Sequence, residues 1–176
     1  MAFSRAEEHG FSAFGGPIEL PVRGASLPRP LHQIAWLSHN ELKCLAPPRY
    51  IWDLPLLHPM LYSGGSLQYE FSREGIVIHQ LEPTETSESW PYVGFPDLLP
   101  YYPLQLVQTT SEDWKAFTRH APNLPEQQPS ELVVLVPPPE GLGFTLWGRG
   151  GDAEGVTIVF EVALDAKHVN TYNVCS

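Results

Sequence analysis

Cysteine is scarce. Cys44 and Cys175 are the only two in 176 residues, and they lie far apart. They form no CxxC and no zinc-type spacing, which excludes a disulfide scaffold and a cysteine-rich metal knuckle. Both read as reduced thiols. Basic residues are also few, 10 Lys+Arg against 20 Asp+Glu, for a formal charge of −10. Phosphate binding needs a basic field, so nucleic acid is not the expected partner. Long apolar runs are missing. The stretch from Leu132 to Val136 is the longest aliphatic one, far below the ~20 residues of a membrane helix. No membrane partner is expected. The opening residues MAFSRAEEHG carry no basic segment followed by an apolar one, which predicts a cytoplasmic protein.

Familiar catalytic patterns are missing too. The seven histidines are His9, His32, His39, His58, His79, His120 and His168. None stands in HxH, HExxH or a helical i,i+4 pair. There is no G-x-S-x-G elbow for a serine nucleophile. Gly148, Gly150 and Gly151 precede Asp152 and Glu154, which repel phosphate, where a phosphate loop has Lys-Ser/Thr. Glu112 and Asp113 suit a helix N-terminus better than an acid–base couple. Cys44, beside Lys43, reads as a structural thiol. The sequence predicts no catalytic set, no cofactor and no metal.

What is present is apolar and aromatic in ordinary measure, 43% and 11%, enough for one core. Proline is abundant, 19 residues, clustered at 17–30, 47–59, 83–103 and 122–139. Proline stops helices and is barred from central strands, so the elements are short and a helical bundle is excluded. Leu31 to Leu37 reads as a buried strand, with Ser38 or Asn40 capping a short helix through Leu42 and Cys44. Ser66 to Phe71 and Ile76 to Leu81 flank a turn and predict a hairpin. Pro103 to Gln108, Leu132 to Val136, Phe144 to Trp147, Val156 to Val162 and Val169 to Val174 read as further strands. Thr110 to His120 is the best helix, with acids at its start and Lys115, Arg119 and His120 toward its end. The predicted class is α+β: a single domain over 1–176, mostly antiparallel sheet with few short helices. PLHQIAWLSHNEL from Pro30 and PLQLVQTTSEDW from Pro103 share an order of strand, cap and acidic helix start. They suggest two related strand-rich halves, about 14–82 and 100–176, joined by a proline-rich acidic connection at 83–103.

Charge is uneven. Residues 74–176 hold fourteen acids and four bases, and no Lys or Arg stands between Arg73 and Lys115. The plain reading is a solvated loop that keeps the chain in solution. The sharper reading is an electronegative face that steers a basic protein partner. Aromatic rings share that segment, and Trp and Tyr are favoured interface anchors. The candidate partner-binding residues are Glu82, Glu85, Glu88, Trp90, Tyr92, Phe95, Asp97 and Tyr101. An alternative is a small-molecule pocket between the halves, around His32, Trp36 and His79.

Several segments, in order, resemble the YwqG-like family, a bacterial domain of unknown function. They are Gly15-Gly16 with Leu20-Pro21; Pro30-Leu31 running through Ile34, Ala35 and Leu37 to Glu41-Leu42; and Gly65 to Phe71. Leu104 to Ser111, Leu146 to Gly151 with Val156 to Phe160, and Tyr172 with Cys175 follow. Trp36, Thr109 and Arg149 stand where the family usually has Gln or acids. The resemblance implies an α+β fold of two related halves and no established reaction. Some members look like immunity proteins, so it implies a non-catalytic protein that occludes a cognate secreted toxin with a basic surface.

Overall fold

A computed structural model describes residues 2–5, 11–24, 31–44, 51–59, 65–82, 98–107, 132–136 and 156–175. The strands are β1 (Ala2–Arg5), β2 (Ser12–Phe14), β3 (Val22–Gly24), β4 (Leu31–Leu37), β5 (Leu54–Pro59), β6 (Ser66–Ser72), β7 (Gly75–Glu82), β8 (Tyr102–Val107), β9 (Leu132–Val136), β10 (Val156–Val162) and β11 (His168–Cys175). Among the described residues one helix occurs, α1 (His39–Leu42). They form a five-stranded sheet, β1-β8-β2-β4-β5, and a six-stranded sheet, β3-β7-β6-β11-β10-β9. All pairings are antiparallel except β3 with β7. Each sheet combines strands from before residue 83 and after residue 100.

The expected α+β class is therefore corrected for the described residues: they are mostly β, and the helix is four residues long. Proline-punctuated segments of five to eight residues suit strands, which need no i→i−4 ladder, better than helices. The best expected helix, Thr110 to His120, and the expected strand Phe144 to Trp147 lie outside the described residues. No described helix is long and apolar enough to cross a membrane.

The patterns that make these strands differ. β6 alternates, with Leu67, Tyr69 and Phe71 inward, as a strand with one core-facing side should. β4 and β5 are buried almost throughout, which explains their near-continuous apolar runs. Leu54, Leu56 and Leu57 of β5 meet Leu67, Phe71, Ile158 and Phe160 of the second sheet in one core cluster. Each such side chain, fully buried, contributes about 1.5–3 kcal/mol.

Two polar links cross between the sheets. The Tyr69 hydroxyl donates to the Pro55 carbonyl at 2.7 Å and accepts the Leu57 N–H at 3.2 Å. The His58 Nδ1 lies 3.0 Å from Thr171 Oγ1. β5 ends its sheet, and its Pro55 and Pro59 have no N–H to offer, so proline is tolerated there.

α1 begins at Ser38, which has an extended backbone and whose side-chain oxygen accepts the Asn40 N–H. The Glu41 carboxylate then accepts from Ser12 Oγ and, at 2.9 Å, from the Leu106 N–H, fixing the helix to β2 and β8.

Gly15 sits at φ +67°, and a Cβ there would stand 2.2 Å from the Pro100 carbonyl oxygen. Its N–H donates to Ile34 at 3.0 Å, so the backbone cannot move away freely. Gly15→Ala is expected to cost about 2–4 kcal/mol, combining left-handed strain with overpacking against backbone. The urea midpoint checks this; an unchanged midpoint would contradict it.

Candidate functional site

A cleft of about 490 Å³ opens beside β4, β5 and the β6–β7 turn. It is built from the Gly15-Gly16 bend outward. Gln33, buried on β4, donates from Nε2 to the Gly15 carbonyl at 2.8 Å. Gly16 has φ +81°, and a Cβ there would press to 3.2 Å on the Tyr101 ring, so glycine lets that ring lie against the bend. The segment after it, Pro17 to Leu20, forms one wall. Trp36 of β4 and Trp52, just before β5, add two more rings. Tyr101 and Ile51 are 59% and 61% exposed, so the mouth carries large apolar groups facing solvent.

Two polar groups of the cleft, His39 and Asp53, engage each other. The Asp53 carboxylate accepts from the His39 backbone N–H at 2.8 Å, and the same oxygen lies 3.0 Å from His39 Nδ1. The Asp53 contact orients the ring and leaves Nε2 for an occupant. Arg73 and Lys167 lie over the Trp52 ring at 6.0 and 5.9 Å from its centroid. That is the outer range of a cation–π contact. Glu19 adds a second carboxylate to the lining. With Trp52 facing Arg73 and Lys167, Trp36 and Tyr101 are the rings that, beside the Glu19 and Asp53 carboxylates, suit a flat or cationic group such as the guanidinium or ammonium of a basic chain.

The residues expected to bind a partner divide by position. Tyr101 lines the cleft. Glu82, the last residue of β7, is exposed and accepts from Gln80 Nε2 at 2.8 Å. Glu85, Glu88, Trp90, Tyr92, Phe95 and Asp97 lie outside the described residues. Of the alternative pocket residues, Trp36 lines the cleft, whereas His32 and His79 do not. His32 is buried opposite His58 in the β4–β5 register. His79 is exposed on β7, 3.8 Å from a Glu70 oxygen.

Trp52, Arg73, His39 and Asp53 were not singled out as a site from sequence. Trp52 and Asp53 sit in the proline cluster 47–59, which reads as connection, and no local spacing links them to Arg73. Comparison with protein-family models, with curated proteins and with solved structures finds no match.

Proposed function

We propose that this is a non-catalytic binding protein whose partner seats on the aromatic cleft and its rim. The observation that carries this is the gathering of Trp36, Trp52 and Tyr101 in one cleft with Glu19 and Asp53. The partner we infer is a cognate toxin with a basic surface, occluded in the cytoplasm of the cell that makes it. Support comes from the formal charge of −10 and from exposed Glu82 and Tyr101. A basic side chain of the partner would stack on Trp36 or Tyr101 and pair with the Glu19 and Asp53 carboxylates.

Titration with the purified product of the adjacent gene tests the reading. Tyr101→Ala is expected to weaken binding about 10–30-fold, the loss of one interface anchor. Glu82→Lys is expected to slow association while dissociation stays nearly constant, and added salt should do the same. A neighbour that does not bind overturns the toxin reading.

One observation favours a second occupant. The cleft volume falls in the ~300–1,000 Å³ range of small-molecule sites. A small ligand that quenches tryptophan fluorescence, and loses affinity in Tyr101→Ala, would replace the protein partner with a metabolite.

A further inference from the structure

The outer face of the second sheet brings together three ligating side chains that the cleft does not use. Glu70 is on β6, His79 on β7 and His168 on β11, three neighbouring strands. His168 stands directly opposite Glu70 in the β11–β6 register. Val77 opposes Glu70 on the other side, so His79, two residues on, is its diagonal neighbour. The register shifts here: Ile78 opposes Tyr69 and Gln80 opposes Gln68, leaving His79 as the extra residue of a bulge. His79 and Gln80 are both exposed as a result, and Leu81 returns to the core. Bulges of this kind re-aim side chains beside functional sites.

The geometry is convergent. His79 Nε2 and His168 Nε2 lie 3.8 and 3.7 Å from the same Glu70 oxygen, Oε2. One ligand atom from each of the three residues lies within 4.8 Å of the other two. The imidazole rings are stacked, 6.0 Å between centroids and 28° between planes. These separations are too long for hydrogen bonds. The two Glu70 distances are near the ~3.3 Å edge of a tetrahedron with ~2.0–2.1 Å metal bonds, and the third side of the triangle is at most 4.8 Å.

A further residue sets the donor atoms. His168 Nδ1 is hydrogen-bonded to Asp165 Oδ2. The other Asp165 oxygen accepts the N–H groups of Lys167 at 2.9 Å and His168 at 3.1 Å, so the carboxylate is held in place. An ionised carboxylate only accepts, so the His168 proton sits on Nδ1. That leaves Nε2 as the ring atom on the Glu70 side, 3.7 Å from Oε2. A carboxylate on the far nitrogen of a ligating histidine is also the usual way a metal site fixes its imidazole.

We propose that Glu70, His79 and His168 bind a divalent transition-metal ion on the outer face of the second sheet, with Asp165 as the positioning residue. Two imidazoles and one carboxylate suit zinc, and three protein ligands leave a fourth position open to water. The site is separate from the cleft, so it stands whether or not the cleft binds a partner.

Calorimetric titration of the full chain with zinc chloride, in a non-chelating buffer, tests the proposal. One equivalent of zinc is expected to bind. Asp165→Asn should weaken it ~10-fold, the lower end of a second-shell loss, and His79→Ala and His168→Ala by more than ~100-fold. All three positions are exposed, and circular dichroism establishes that each variant is folded. Cys44→Ser is expected to leave binding unchanged. A wild-type chain that takes up no zinc overturns the proposal. So does binding that survives both histidine substitutions, or that disappears with Cys44.

Discussion

Replacing Tyr69 by phenylalanine is expected to lower stability by about 2–4 kcal/mol, although only one oxygen is removed. That oxygen serves two backbone groups of β5, the Pro55 carbonyl and the Leu57 N–H. Tyr69, Pro55 and Leu57 are all buried, so no water replaces the lost partner. Each orphaned group costs its desolvation, about 1–3 kcal/mol. Burial also pushes the phenol pKa upward, against a smaller opposing effect of the Leu57 N–H, so the hydroxyl keeps its proton. For a chain of this length the loss corresponds to roughly 5–15 °C in Tm. Tyr69→Phe should shift the urea midpoint with the slope unchanged. A midpoint within error of wild type would mean that the sheets are held together without this link.

Acid is expected to weaken the fold well before the carboxylates titrate. Burial, reinforced by the charge of His32, pushes the His58 pKa from 6.5 down to about 3. Above pH 6.5 the ring is neutral in both states and contributes nothing to the pH dependence. Below it, the unfolded chain takes up a proton that the folded chain refuses. Stability therefore falls as pH drops from about 6.5 toward about 3. The slope is at most ~1.4 kcal/mol per pH unit, or roughly 2 kcal/mol between pH 6.5 and 5. Urea midpoints across that interval measure it. His58→Asn should be less stable at pH 7 and show a flatter profile; an equally steep profile would assign the dependence to other groups.

The sequence was most legible where one strand carries its own pattern. Alternation in Ser66 to Phe71, the apolar run Leu31 to Leu37 and the Ser38 cap all identified elements the structure contains. β5 escaped notice because Pro55 and Pro59 signal a connection, and their tolerance depends on the strand lying at a sheet margin. β1, β2 and β3 are three or four residues long, too short for periodicity to register. The candidate sites were harder still. Trp36 and Tyr101 lie far apart in sequence, and only the strand order β8-β2-β4 of the first sheet brings both to one cleft. Glu70, His79 and His168 have no local spacing at all. Strand order unites them, and a bulge sets the register on β7.

The treatment of β5 bears on how copies of this chain behave when concentrated. A terminal strand ordinarily offers unpaired amides and carbonyls on which a foreign chain can template itself. Here prolines remove two of the amides, and a phenol from the opposite layer occupies a third amide and a carbonyl. Intermolecular β-growth is closed at that margin. Among the described strands, β9 is the terminal one richest in aliphatic, β-branched residues, Leu132 to Val136, so cross-β assembly would start there.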